Sequence, residues 1–161
     1  DVVMMGRYGH MGFFRRPKKA DHTAVTSALD RVNMAEFRNR QIGELSGGQR
    51  KRVFLARALA QEGQVILLDE PFTGVDVQTE DQIIDLLRGL QEKYKLAYMF
   101  ISHDLKVVRA ISNHVIVMRN GKVVEQGPAA QIFDNPAEEY TKALMAAAFN
   151  IEAVKTDTVG T

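Results

Sequence analysis

The stretch Gly43-Glu44-Leu45-Ser46-Gly47-Gly48-Gln49-Arg50, followed closely by Val65-Ile66-Leu67-Leu68-Asp69-Glu70-Pro71, decides the fold of this chain. Ser46 and two glycines stand just before a run of good helix formers, which predicts a helix whose first backbone N–H groups point outward. Such an N-terminus attracts anions, and phosphate is a common one. An ordinary serine N-cap with glycines that loosen a turn is the alternative when this motif is taken alone.

The second part of the stretch predicts a buried strand that ends in two acids. Residues 65–68 form a short apolar run, typical of a strand buried on both faces, and Asp69 and Glu70 follow at its C-terminal edge. Ligands of open α/β sheets gather at that edge. An acid there could hold magnesium directly or through water, and a second acid beside it could orient or deprotonate an attacking water. A strand that simply ends at a polar surface is the alternative, but it does not explain two adjacent acids.

Taken together, these residues resemble those of the ATP-binding cassette (ABC) ATPases. Residues 45–49 match the LSGGQ signature of that family without a departure, and residues 67–71 match its Walker B segment. Residues 73–76 fall where the D-loop lies, and residues 102–104 follow the next apolar strand as the switch histidine does. Four motifs in the family's order make coincidence an unsatisfactory explanation.

The resemblance implies roles for individual residues and two cofactors, ATP and Mg²⁺. Asp69 would help to hold the metal, Glu70 would be the general base, and His103 would contact the γ-phosphate. Ser46 with Gly48 would bind the γ-phosphate of a nucleotide held mainly by the opposite subunit. Gly47, Gln49 and Asp76 are implied as further cofactor-binding residues.

Composition limits the possible functions. The chain has 161 residues, of which 45% are hydrophobic and 25% charged, as in a globular protein of one domain. Its 21 basic and 20 acidic residues leave a net charge of +1, so no global field favours nucleic acid or an anionic membrane, and binding has to come from local sites. There is no cysteine, which excludes disulfides and thiolate metal sites. No apolar stretch approaches the roughly 20 residues that span a bilayer.

The predicted fold class is α/β: a partial P-loop NTPase sheet of the ABC type with a helical subdomain. We expect residues 1–45 to belong to the helical subdomain, 46–128 to form the α/β core, and 129–161 to form C-terminal helices and a frayed tail. Asp21 or a near neighbour is expected to cap a helix that runs to about Asn33. Asn120-Gly121 predicts a β-hairpin with a type I′ turn. His103 should emerge at the sheet edge that carries the two acids.

A basic cluster, residues 15–19, lies beside two aromatic residues near the start of the chain. A solvated loop is the favoured interpretation of the charges. Phe13 and Phe14 are harder to leave in water, and a partner surface could cover them.

Two features depart from the family pattern. The sequence contains no Gly-x-x-x-x-Gly-Lys-Ser/Thr segment, so Walker A is expected upstream of Asp1. We therefore expect that the chain alone neither binds ATP tightly nor hydrolyses it, and that missing strands leave an apolar sheet surface uncovered. In addition, residues 1 to about 87 resemble the ATPases of manganese, iron and zinc importers, whereas the part from about residue 94 onward resembles those of dipeptide and oligopeptide importers.

The leading hypothesis is the C-terminal part of the nucleotide-binding subunit of a bacterial ABC importer. It would couple ATP hydrolysis to uptake of a metal ion or a peptide, with a second ABC ATPase subunit and a membrane permease as partners, and no nucleic acid. It would lie peripherally on the cytoplasmic face of the inner membrane. The first alternative is a non-catalytic module. It would dock the surface around its signature motif, residues 45–49 (the signature face), on an intact ABC ATPase. An ABC ATPase of DNA maintenance is a further alternative, against which stands the lack of coiled-coil heptads.

Overall fold

The computed structural model describes residues 2–14 and 16–157. They form an α/β structure of two compact units, which divide between Ile101 and Ser102. Each unit contains a two-stranded sheet. The domain boundaries predicted at residues 45 and 128 stay predictions. Within the described ranges, no helix is both long and apolar enough to cross a membrane.

The first unit consists of three helices and a parallel pair of strands. Its elements, after a 3-10 helix at Met4–His10, are α1 (Lys19–Arg31), α2 (Gly47–Leu59), β1 (Val65–Asp69), α3 (Val77–Tyr94) and β2 (Ala97–Ile101). Short 3-10 turns at Ala35–Phe37 and Ile42–Glu44 connect α1 to α2. The helix predicted after Ser46, which we call the signature helix, and the strand predicted at residues 65–68 are therefore both present.

A buried arginine ties the start of the chain to α1 and to the end of α2. The guanidinium of Arg7 donates to the carboxylate of Asp21 at 3.0 Å and to the carbonyl of Ala60 at 2.8 Å, and it pairs with Glu62 at 2.6 Å. The N-cap of α1 is Lys18, whose backbone N–H donates to Asp21 at 2.9 Å. Asp21 thus stabilises the start of α1 from inside the helix and neutralises Arg7 as well.

The parallel sheet is buried on one face and open on the other. β1 pairs with β2 in register from Val65 opposite Ala97 to Asp69 opposite Ile101. Ile66 is buried, but Val65 and Leu67 are 65% and 61% exposed. The prediction of a strand buried on both faces is therefore wrong, because no described segment covers the outer face. The predicted uncovered apolar sheet surface is confirmed.

The second unit packs an antiparallel hairpin against helices. Its elements are α4 (Leu105–Ile111), β3 (His114–Arg119), β4 (Lys122–Pro128), α5 (Ala129–Asp134) and α6 (Glu139–Asp157). Asn120 and Gly121 have φ values of 51° and 74°, as a type I′ turn requires, so the predicted hairpin is confirmed. The core contains Val115, Val117, Ile132, Phe133 and Met145. Helix α6 continues to Asp157, within the stretch predicted to fray, and the last four residues of that stretch (158–161) lie outside the described residues.

Candidate functional site

The predicted anion-binding terminus is formed by a capping box at the start of α2. The hydroxyl of Ser46 accepts from the backbone N–H of Gln49 at 3.2 Å, and the side-chain oxygen of Gln49 accepts from the backbone N–H of Ser46 at 2.9 Å. The first bond uses a lone pair of the hydroxyl, so its O–H proton can still donate to an anion. The side chain of Ser46 is exposed. An ordinary serine N-cap and an anion site are alternatives when the sequence is taken alone. In this geometry Ser46 can cap the helix and still bind an anion.

The two signature glycines bring this helix start against the D-loop and α3. A Cβ placed on Gly47 would lie 3.5 Å from the carbonyl oxygen of Gly74, and one on Gly48 would overlap the methyl group of Thr79. Gly48 is therefore needed for close packing against Thr79, independently of any ligand. This packing contact was not foreseen from the sequence, in which only the Ser-Gly-Gly pattern pointed to an unusual backbone.

Asp76 caps α3 beside that contact. Its carboxylate accepts from the backbone N–H of Thr79 at 2.9 Å and from the hydroxyl of Thr79 at 2.7 Å. These two bonds, the hydroxyl bond first, lower the pKa of Asp76 below its ordinary value, so Asp76 is negatively charged at neutral pH. The same threonine thus contacts Gly48 with its methyl group and holds Asp76 with its hydroxyl. Two predicted nucleotide-contact segments are joined through one residue.

The two acids occupy the predicted edge of the sheet. Asp69 ends β1 and is exposed. Glu70 follows in a left-handed conformation, with φ of 45°, and its backbone N–H donates to the carbonyl of Ile101 at 2.8 Å. The hydroxyl of Thr73 donates to the Glu70 carboxylate at 3.3 Å. The backbone bond to β2 fixes the point at which the chain turns, and it places both acids at the C-terminal ends of the paired strands.

Basic residues of α2 are engaged by the protein itself. Lys51 donates to the backbone carbonyl of Glu70 at 3.3 Å, and Arg50 donates to the carbonyl of Leu45 at 2.7 Å. Arg52 donates to the side chain of Gln82 at 3.1 Å. These bonds offset part of the unfavourable position of positive charges at a helix start. Lys51 therefore links the signature helix to the sheet edge that carries the acids. The positive charge of Lys51 in the sequence did not predict this bond.

His103 is the second residue of the second unit, two residues after the end of β2, and its side chain is exposed. The segment is ordered by Asp104, whose carboxylate caps α4 and whose backbone N–H donates to the hydroxyl of Ser102 at 3.1 Å. The expected meeting of His103 with Asp69 and Glu70 stays a prediction.

The described residues contain no group of three or more His, Cys, Asp or Glu side chains that could hold a metal ion. Mg²⁺ commonly needs only one or two protein carboxylates, the other ligands being water and substrate phosphates. The pair Asp69 and Glu70 fits that donor set, although it does not form a complete metal cage.

Comparisons with known proteins agree with this geometry. Residues 7–73 match the model of the ABC transporter family. The peptidoglycan transport ATP-binding protein YejF of Agrobacterium fabrum is 55% identical over 138 residues, which cover 85% of this chain and 25% of that protein. The manganese transport system ATP-binding protein MntA of Synechocystis is 51% identical over 141 residues, covering 88% of this chain and 54% of that protein.

A solved structure supports the fold in the same way. A transporter described as of the metal-chelate ABC type, in an inward-facing conformation, matches with a TM-score of 0.77 and 34% identity. The match covers 82% of this chain and 52% of that one. The chain therefore spans about half the length, or less, of these three proteins.

Proposed function

We propose that this chain, which belongs to the ATP-binding family of ABC transporters, supplies the signature face and the acidic sheet edge of an ATPase that drives uptake across a membrane. The contact between Ser46-capped α2 and Asp76-capped α3 carries this proposal. The N-terminus of α2 favours negative charge, whereas that of α3 beside it already holds the Asp76 carboxylate. A nucleotide triphosphate presented by another polypeptide is the anion that this surface would bind.

At the signature face, the chain's own groups would bind the terminal phosphate. The Ser46 hydroxyl can donate its proton, and the first-turn amides of Gly47 and Gly48 have no carbonyl partner within the helix. The side-chain amide of Gln49 adds two further N–H groups close to the same point. Asp76 keeps α3 and Thr79 in place beside them. These groups can bind an anion while the capping hydrogen bonds of α2 stay in place.

At the sheet edge, the acids would act on a second nucleotide. Mg²⁺-ATP would supply the phosphoryl group, and its Mg²⁺ would supply positive charge beside the acids. Asp69 would hold the metal, Glu70 would accept a proton from the attacking water, and His103 would contact the γ-phosphate. The lysine and backbone cradle of a Walker A loop is also needed, and the 161 residues do not include that motif. We therefore expect no ATP turnover by this chain alone.

The names of the relatives and of the solved structure support the proposed cargo. Manganese, metal-chelate and peptidoglycan transport appear in their names. A metal ion is the cargo that we favour, and a peptide, suggested by the second half of the sequence, is the alternative. A second ABC ATPase subunit and a membrane permease would complete the assembly, at the cytoplasmic face of the membrane.

Replacement of Ser46 separates phosphate binding from helix capping. Aspartate and asparagine both cap helices about as well as serine, so Ser46→Asp and Ser46→Asn should fold alike. A carboxylate within about 4 Å of a phosphate should weaken binding by roughly 100-fold or more, because like charges repel strongly near a protein surface. The assay is MgATP-dependent association of the chain with an intact ABC ATPase of a metal importer, followed by analytical ultracentrifugation.

We expect the parent chain and Ser46→Asn to associate only with MgATP, and Ser46→Asp to remain apart. Equal association of the two variants would contradict the proposal. Association without any change in the partner's ATP turnover would instead favour the alternative of a non-catalytic module. Turnover by the purified chain itself, abolished by Glu70→Gln, would contradict the expectation that a separate Walker A loop is required.

A further inference from the structure

Two phenylalanines project from the turn between the first 3-10 helix and α1. Phe13 is 96% exposed and Phe14 is 82% exposed. Their rings meet edge to face, with centroids 5.6 Å apart and planes at 85°. Exposed aromatic side chains of this size are costly in water, and adjacent pairs mark surfaces that become covered.

Basic residues flank the pair on one side. Arg16, Lys18 and Lys19 are all exposed, and no acidic residue occurs between Gly12 and Ala20. The net charge of the whole chain is only +1, so this positive charge is a local feature and not a property of the entire surface. We define Phe13, Phe14, Arg16, Lys18 and Lys19 as the aromatic–basic turn.

The turn is anchored at both of its ends. Met11 is buried, and the ion pair between Arg7 and Asp21 joins the segments before and after the turn. The backbone N–H of Lys18 donates to the same aspartate. The two ends of the turn are therefore fixed to the folded unit, and the exposure of the two phenylalanines does not result from local unfolding.

We propose that the aromatic–basic turn docks on the surface of an anionic lipid bilayer. Aromatic side chains partition into the headgroup region, and nearby Lys and Arg residues are attracted by anionic headgroups. An acidic protein segment would satisfy the charges, but it would need a pocket shaped for two perpendicular rings, whereas a bilayer interface accepts them without a preformed pocket. The proposal does not depend on nucleotide binding, so its failure would leave the ATPase proposal untouched.

Vesicle sedimentation tests the proposal. The chain should bind vesicles of phosphatidylglycerol mixed with phosphatidylcholine, and 0.5 M salt should release it. The triple variant Arg16→Gln, Lys18→Gln, Lys19→Gln should bind roughly 100-fold more weakly, at about fivefold per basic residue. The double variant Phe13→Ala, Phe14→Ala should bind at least roughly tenfold more weakly, because its aromatic insertion is lost.

A matched triple variant controls for total charge. Arg38, Lys95 and Lys122 are exposed and lie outside the turn, so their replacement by Gln should leave vesicle binding close to that of the parent chain. The uncovered sheet face at Leu67 and Met99 is a rival contact. Because its apolar side chains carry no charge, binding through them should be the same for neutral and anionic vesicles, and that result would overturn the proposal.

A fluorescent reporter locates the contact. The chain contains no tryptophan, so Phe13→Trp introduces a single indole. Its emission should shift to the blue with anionic vesicles and should be quenched by brominated lipids. Phe54→Trp, on the exposed side of α2, should show neither change. Insensitivity of the Phe13→Trp emission to vesicles, or retention of the double alanine variant on them, would refute membrane docking and would favour a protein partner.

Discussion

Replacement of Gly48 by alanine should destabilise the first unit, although alanine is the better helix former. The added methyl group would overlap the methyl group of Thr79, whose Cβ and hydroxyl oxygen would each lie 3.7 Å away. Thr79 cannot rotate away without losing its 2.7 Å bond to Asp76. Overpacking of this kind costs about 2 kcal/mol, whereas the change from glycine to alanine in a helix gains at most about 1 kcal/mol. We expect a net loss of about 1 kcal/mol.

Gly89 provides the matched control, because it lies inside α3, is exposed, and has nothing within 4 Å of an added Cβ. Gly89→Ala should stabilise the unit by about 1 kcal/mol, so the two glycine variants should differ in sign. Thr79→Ser removes the obstructing methyl group and keeps the hydroxyl bonded to Asp76. The double variant Gly48→Ala, Thr79→Ser should therefore be more stable, by about 1 kcal/mol or more, than the sum of the two single effects predicts.

The assay is urea unfolding monitored by pulsed hydrogen exchange of peptides from α2 and α3, which reports on the first unit alone. A Gly48→Ala variant as stable as Gly89→Ala would refute the contact between the signature loop and α3. An effect of Gly48→Ala that Thr79→Ser does not change would show that the cost arises elsewhere.

Three further predictions concern the first unit, and the same assay measures them. Arg7→Met should cost about 3 kcal/mol, because it leaves the buried carboxylate of Asp21 without its counter-charge, whereas Arg38→Met, at an exposed position, should cost almost nothing. Hydrogen bonds from the Lys18 backbone and then from Arg7 hold the pKa of Asp21 below its ordinary value of 3.8. The unit should therefore lose stability as the pH falls below about 4, and Asp21→Asn should remove that dependence. Glu70→Gly should stabilise the unit by about 1 kcal/mol, as Lys95→Gly should, because both positions have positive φ.

Local features of the fold could be predicted from the sequence because short-range chemistry determines them. Ser46 and Gln49 have the spacing of a capping box, and Asn120-Gly121 satisfies a type I′ turn without help from distant residues. The apolar run that ends in Asp69 likewise specified a strand with acids at its edge. Each of these signals lies within a few residues along the chain.

Contacts between distant segments could not be predicted in the same way. The packing of Gly48 on Thr79 and the bond from Lys51 to Glu70 depend on how α2 lies beside the other elements. The exposure of Val65 depends on which segments pack over the sheet, and an apolar run looks the same with or without a cover. Sequence periodicity identifies the faces of an element, but it does not identify their neighbours.

Glu70 adopts a strained backbone conformation at the sheet edge. A left-handed backbone is costly for a residue with a Cβ, by about 1 kcal/mol, and glycine would adopt it at little cost. The surrounding bonds impose that conformation: the N–H of Glu70 is bound to Ile101, and its carbonyl accepts from Lys51 and from the backbone of Thr73. On the side of residue 70 these bonds use only backbone atoms, so they would be available to glycine as well. Glu62 and Lys95 adopt the same conformation, so the strain by itself does not identify a site. What we propose for Glu70 is that the chemistry of its carboxylate at the sheet edge outweighs the stability that glycine would add.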